Sequence, residues 1–518
     1  MFVRPGRPGT LTEVTKMQRR ELLQGLMAAP LALAATRRAS AQTGKYEANW
    51  ESIDRRPSPK WYTDAKFGIF IHWGLYSVPS YAAVEVKDEN SYAEWYWNSL
   101  TNGKKAKGPV GHGAMTWAFH KRVYGADFPY ENFAPLFRAE LFDPDRWADV
   151  FERAGARYVA LTSKHHEGFT LWRSEEANRT WGRAWNSVDV GPKRDLLLDL
   201  SEAGRRKGLH MGIYYSLYEW YNPLWLSDRK RYVAEHMFPQ FKDVVTRAKP
   251  EIIFSDGEWD MTSAEWRSPE LLAWLFNESP VANDVVINDR WGKECRHHHG
   301  GYYTTEYTSG MQHADHPWEE SRGMGFSYGY NRMETLKDYH SERELVLMLI
   351  DIVSRGGNLL LDIGPTADGR IPVVMEERLI QMGNWLRPNG EAIYGTRAWK
   401  RARQWSSGTV PKAEDKEFRG EYDLTKMVDA PLPGYARIDA FYTAKDDAVY
   451  AIVPRWPAGE IVLDDIEVPP GAQVTLLETG APLRSRTEGR KLFVEAADLR
   501  GLNVPFREAY VLKIPGAR

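Results

Sequence analysis

The chain has 518 residues, a formal net charge of −2, 43% hydrophobic and 27% charged residues, and one cysteine. That length exceeds one ordinary domain and predicts a large core with a smaller companion. The balanced charge excludes an electrostatic footprint for nucleic acid or an anionic membrane, and the lone Cys295 excludes an intrachain disulfide.

Residues 1–41 read as an export leader outside the fold. Arg19-Arg20-Glu21-Leu22-Leu23 precedes an apolar run from Leu26 to Ala35, and Ala39-Ser40-Ala41 has the small-x-small form of a signal-peptidase site. A twin-arginine pair before a modest apolar segment predicts Tat-type export from a bacterial cell, to the periplasm or beyond. Met17 is an alternative start. The apolar run is too short to cross a bilayer, and no later segment has about eighteen uninterrupted apolar residues, so the processed chain is expected to be soluble.

Residues 45–400 alternate strand and helix patterns. Phe67–Trp73 predicts a first strand, and Pro144–Ala154 a helix with Asp143 as N-cap and Gly155 as stop. Strands follow at Arg157–Thr162, His210–Ser216, Ile252–Asp256 and Val285–Ile287, with helices over about 195–207 and 232–248. Ser341-Glu342-Arg343-Glu344 is a capping box before the helix Leu345–Val353, and Leu359–Asp362 is the strand after Gly356-Gly357. Repeated βα units with apolar strands predict a parallel sheet. Polar residues converging from many strand ends fit a closed (β/α)8-like barrel better than an open sheet with one crevice. Residues 401–518 change texture, with short runs such as Ala448–Val453, Val474–Leu477 and Tyr510–Ile514 between Gly, Pro and Asp turns. That spacing predicts an antiparallel β-sandwich in a supporting role.

The richest segment is Pro250-Glu251-Ile252-Ile253-Phe254-Ser255-Asp256-Gly257-Glu258-Trp259. An apolar strand that ends in carboxylates and a tryptophan puts acid chemistry where barrels keep their active sites. An aromatic beside a carboxylate also suits a sugar, whose C–H face stacks on a ring while an acid handles the glycosidic bond. The remaining polar strand ends are His72-Trp73-Gly74, His165-His166-Glu167-Gly168 and Asn288-Asp289-Arg290-Trp291, joined by Glu94-Trp95-Tyr96.

In this order, these motifs resemble the α-L-fucosidases of glycoside hydrolase family 29. The resemblance runs from Trp61–Gly68 through Gly357–Pro365 to Gly390–Tyr394 and covers nearly the whole processed chain. It implies a catalytic barrel followed by a β-sandwich, and a retaining exo-α-L-fucosidase that works through a covalent glycosyl-enzyme. It also implies Asp256 as the nucleophile. Two carboxylates compete for the acid/base: Glu306 in Thr304-Thr305-Glu306-Tyr307, which is favoured, and Glu319 in His316-Pro317-Trp318-Glu319. Glu258 would share a face with Asp256 if the strand continued past Gly257, and ranks second to it. The resemblance makes His72, Glu94, Trp95, His165, His166 and Arg290 substrate-binding residues, with Arg290 also keeping Asp256 charged. Tyr214 and Tyr215 point to opposite faces of one strand, so only one reaches the site. Tyr214 is the expected binder with that choice open, and Trp291 is equally well a packing residue.

No metal or cofactor is expected. The run Cys295-Arg296-His297-His298-His299 lacks the outlying pair that completes a tetrahedral zinc site, and reads as a rim or structural loop. No strand is followed by Gly-x-Gly-x-x-Gly, and there is no Gly-Lys-Ser/Thr. The expected partner is a fucosylated oligosaccharide or glycoconjugate, with no nucleic acid or membrane. Linkage preference and oligomeric state are open. Two alternatives remain: a catalytically silent fucose-binding protein on the same fold, and a retaining glycosidase for another sugar of the L-galacto configuration.

Overall fold

The computed structural model describes residues 45–86, 91–106, 108, 111–312, 314–412, 422–505 and 507–518. The expected leader, 1–41, lies outside the described residues. One sheet holds eight strands: β1 (Phe67–Ile71), β2 (Tyr158–Lys164), β3 (His210–Ser216), β4 (Ile252–Asp256), β5 (Val286–Ile287), β6 (Tyr303–Glu306), β7 (Trp318–Gly323) and β8 (Asn358–Ile363). Every pairing in it is parallel, in the order β5-β4-β3-β2-β1-β8-β7-β6. First and last strands are therefore neighbours, as in a sheet that curls round on itself. The two edges meet where Gly301 and Tyr302 N–H groups donate to the Ile287 carbonyl at 3.0 and 3.2 Å. The expected barrel is thus present, closed irregularly between β5 and β6.

Strands such as β1 and β8 are buried on both faces, which is why they read as continuous apolar runs. Phe70, Tyr158, Ala160, Tyr214, Ile252, Phe254 and Leu360 fill the interior as one cluster. Outside, α1 (Pro144–Arg153) starts on the Asp143 side chain, which accepts from Arg146 N–H, with proline at N1. Similarly, α2 (Leu196–Arg206) is capped by Asp195, and α4 (Glu342–Ser354) by the Ser341–Glu344 capping box. The single helix expected over 232–248 is instead a short turn, a π-helical segment at Val233–Met237, and α3 (Phe238–Ala248). Pro239 has no N–H to complete an i→i−4 bond, and the wider turn precedes it.

Strand Arg397–Trp405 opens an antiparallel six-stranded sheet, and a three-stranded sheet packs beside it around a second apolar core. Buried Asp351 of α4 ties barrel to sandwich: it accepts from Arg355 at 2.7 Å, Arg403 at 2.5 Å and Tyr422 at 2.6 Å. Residues Tyr46–Arg518 form one compact unit. No helix among the described residues is long and apolar enough to cross a membrane.

Candidate active site

The C-terminal ends of the barrel strands surround a cavity of about 560 Å³. β4 ends in it at Asp256, and Gly257 then turns the chain with a φ of 75°. A Cβ there would lie 2.3 Å from the Tyr218 ring, so both conformation and space require glycine. This turn breaks strand alternation, yet Glu258 still lines the cavity beside Asp256.

Both oxygens of Asp256 are held. Arg290 donates from Nη1 to Oδ1 at 3.0 Å, and Tyr214 donates its hydroxyl to Oδ2 at 2.8 Å. Burial alone would raise this carboxyl, but the Arg290 charge, helped by Arg296 and the Tyr214 hydroxyl, outweighs it and holds Asp256 below the usual carboxylate range. Arg290 also donates from Nη2 to Glu306 Oε2 at 3.0 Å and from Nε to Thr304 Oγ1 at 3.0 Å, and its guanidinium lies 4.8 Å from the Phe254 ring centre. One planar fork therefore grips carboxylates from the ends of β4 and β6. Glu258 differs: burial pushes its carboxyl up, and Arg296 at 2.7 Å offsets this only in part.

The histidines are set by their neighbours. His72 Nδ1 lies 2.7 Å from Asp362 Oδ1, which fixes the ring and leaves Nε2 for the cavity. His166 Nδ1 lies 2.6 Å from Ser216 Oγ, and that hydroxyl gives its own proton to the Tyr218 carbonyl at 2.7 Å. That network assigns the proton to Nδ1, while Nε2 lies 3.3 Å from the Tyr214 hydroxyl and 3.5 Å from Asp256. Burial and neighbouring His165 press both His72 and His166 well below the ordinary imidazole range, so they serve as neutral rings. His165 stacks on Tyr214 at 5.5 Å. Glu94 accepts from Gly329 N–H at 2.9 Å, and burial pushes its carboxyl up to about 8, so at neutral pH it both donates and accepts. Half-buried Trp95 sits 5.0 Å from Trp220 and 5.6 Å from His166.

Of the two tyrosines, Tyr214 faces the cavity, while Tyr215 turns outward and donates to Gln240 at 2.9 Å. Trp291 is fully buried against Phe241. Glu306 lines the cavity; Glu319 does not. Glu319 pairs in register with Asn358, the first residue of β8, and so lies toward the opposite end of the barrel. There it is fully buried and accepts from Tyr158 at 2.5 Å and Tyr62 at 3.1 Å. Sequence reasoning passed over Phe70, Tyr92, Lys293, Ser321 and Tyr328, which also line the cavity. Tyr328 stacks on His72 at 4.7 Å from a loop with no periodic signal. In the Cys295–His299 run, only Arg296 reaches the cavity; His297 bonds the Thr304 carbonyl and His299 bonds Asp54. Among the described residues, no group of three or more side chains is arranged to hold a metal ion.

The model of the α-L-fucosidase family matches residues 33–391. The chain belongs to the α-L-fucosidase family. It is therefore a glycoside hydrolase. It is 45% identical over 365 residues to α-L-fucosidase of Dictyostelium discoideum, covering 69% of this chain and 76% of that one. It is 38% identical to tissue α-L-fucosidase of Homo sapiens, with 92% of each chain covered. The crystal structure of Thermotoga maritima α-fucosidase with a mechanism-based inhibitor superposes with a TM-score of 0.72 at 35% identity, covering 91% of this chain and all of that one.

Proposed function

We propose that the protein is a retaining exo-α-L-fucosidase that releases terminal α-L-fucose from fucosylated glycans. Asp256 attacks the anomeric carbon and Glu306 protonates the departing oxygen. Water, deprotonated by Glu306, then hydrolyses the fucosyl-enzyme. The observation that carries this reading is the Arg290 fork, with one carboxylate on each terminal nitrogen at 3.0 Å. A single guanidinium keeps both carboxyls close, consistent with the separation of about 5 Å that a double displacement needs. Asp256, held ionised, suits the nucleophile. Neutral His72 and His166, neutral Glu94 and the Trp95 ring offer the mixed donors, acceptors and apolar face that a deoxy sugar requires. The cavity's enclosed floor favours a terminal residue over an internal one. We further propose a bacterial origin and Tat export to the periplasm, supported by Arg19-Arg20 and Ala39-Ser40-Ala41.

The test is hydrolysis of an aryl α-L-fucoside beside other aryl glycosides, for wild type and Asp256→Ala. Fucoside turnover by wild type, lost by several orders of magnitude in the variant, supports the reading. Inactivity of wild type on every glycoside would leave only a silent binding protein.

A further inference from the structure

The cavity changes character toward its mouth. Most lining residues are buried, and those with accessible side chains are Trp95, Trp259, Lys293, Arg296 and Glu306. For an exo-acting enzyme the buried floor takes the terminal sugar, and whatever lies beyond the scissile bond meets this rim. Trp259 is 38% exposed, yet His166 at 5.4 Å, Tyr218 at 5.8 Å and Trp95 at 6.0 Å fix its ring. A fixed indole face at the exit of a sugar site offers stacking to the next ring with little ordering cost.

The rim charges are not equivalent. Arg296 is taken by Glu258 at 2.7 Å. Lys293 is exposed and makes no ion pair among the described residues. Glu265, which feels its charge, is engaged in capping Thr262 through Oε2 at 2.8 Å. The Lys293 backbone is anchored to the Met261 carbonyl at 3.0 Å, and a Cβ on adjacent Gly292 would meet Ser263 N at 2.3 Å, which holds the loop close. The Lys293 ammonium thus belongs to the same rim as the Trp259 face, on a backbone held in place.

We propose that the leaving-group side of the site selects anionic glycans: the sugar next to fucose stacks on Trp259, and a sulfate ester or carboxylate on it pairs with Lys293. This rests on the fucosidase reading above. The experiment compares kcat/KM for a neutral fucosyl-oligosaccharide with a sulfated and a carboxylated form of the same glycan, with an aryl fucoside in parallel. Wild type should favour at least one anionic form by about two- to fivefold at low salt, the size an exposed ion pair supports. The preference should fade near 1 M salt, where the screening length is about 3 Å. Lys293→Gln should bring the ratio near one and Lys293→Glu should invert it, whereas Trp259→Ala should raise KM for neutral and anionic forms alike. Which anionic form is preferred identifies the group. Equal rates in wild type at low salt, or a ratio unmoved in Lys293→Glu, would overturn the proposal while aryl fucoside hydrolysis still upheld the fucosidase reading. Failure to cleave any fucoside would overturn both.

Discussion

Tyr214, a member of the barrel's interior cluster, donates its hydroxyl to Asp256 Oδ2 at 2.8 Å. The bond favours the charged form of Asp256 and fixes the face it presents. Tyr214→Phe removes that donor and leaves the buried ring. A hydrogen bond to a charged group is worth about 1.5–3 kcal/mol, so kcat should fall about ten- to a hundredfold. With less stabilisation of the carboxylate its pKa rises, and the acidic limb of the kcat/KM profile should move to higher pH. A variant with more than half the wild-type kcat and an unmoved limb would show that Tyr214 does not tune Asp256.

Glu306 and Glu319 separate by leaving group. A good leaving group departs without a proton, so the general acid matters most for poor ones. Glu306→Ala should slow a natural oligosaccharide far more than a dinitrophenyl fucoside, and respond to azide with an activated substrate. Glu319→Ala should show none of these kinetic signs. The same pattern in the Glu319 variant would transfer the acid/base role to it.

Glu319 predicts a stability effect of defined sign. Burial among Tyr62, Tyr158 and Tyr302 pushes its carboxyl up to about 7, against the hydrogen bonds that oppose it. The folded state binds this proton more tightly than the unfolded chain, whose glutamates titrate near about 4.3. Its contribution is therefore fully present below about pH 4 and lost as pH rises through about 7, a swing of up to about 4 kcal/mol. Glu94, at about 8, and Glu334, at about 7, act in the same direction, so the comparison is between variant and wild type. Glu319→Gln should flatten the fall in Tm between about pH 5 and 8 and be at least as stable as wild type at pH 8. An unchanged Tm–pH slope would remove Glu319 as the titrating group.

Export is testable independently of catalysis. Tat machinery reads the arginine pair rather than general positive charge. Replacing Arg19 and Arg20 by lysine should retain the protein in the cytoplasm with its leader uncleaved, as fractionation and N-terminal sequencing would show. Undiminished periplasmic protein would point to another route.

Strand β3 was legible to both ends, because an apolar strand buried on both faces stands out between polar helix ends. β6 and β7 were not. Tyr303–Glu306 and Trp318–Gly323 bury threonine, glutamate, serine and arginine, stabilised by pairs such as Thr305–Glu320 at 2.5 Å, so no apolar pattern marks them. With β7 unread, nothing in the sequence separated Glu319 from Glu306 by position, although Trp318 and Glu319 begin a strand and Glu306 ends one. Asp256 and Arg290 could be found because apolar strands point to them. Tyr328, Lys293 and Arg296 lie on loops whose path depends on distant packing. Parity showed that Tyr214 and Tyr215 face opposite ways, but only the assembled sheet shows which way is inward.

The central claim is a covalent fucosyl-enzyme on Asp256, and trapping tests it most directly. A 2-deoxy-2-fluoro-α-L-fucosyl donor with a good leaving group slows turnover of the intermediate, so brief incubation, proteolysis and mass spectrometry should find the label on the peptide bearing Asp256 and on no other. Label on Glu258 or Glu306, or intact inactivation-free protein that still hydrolyses aryl fucosides, would contradict it.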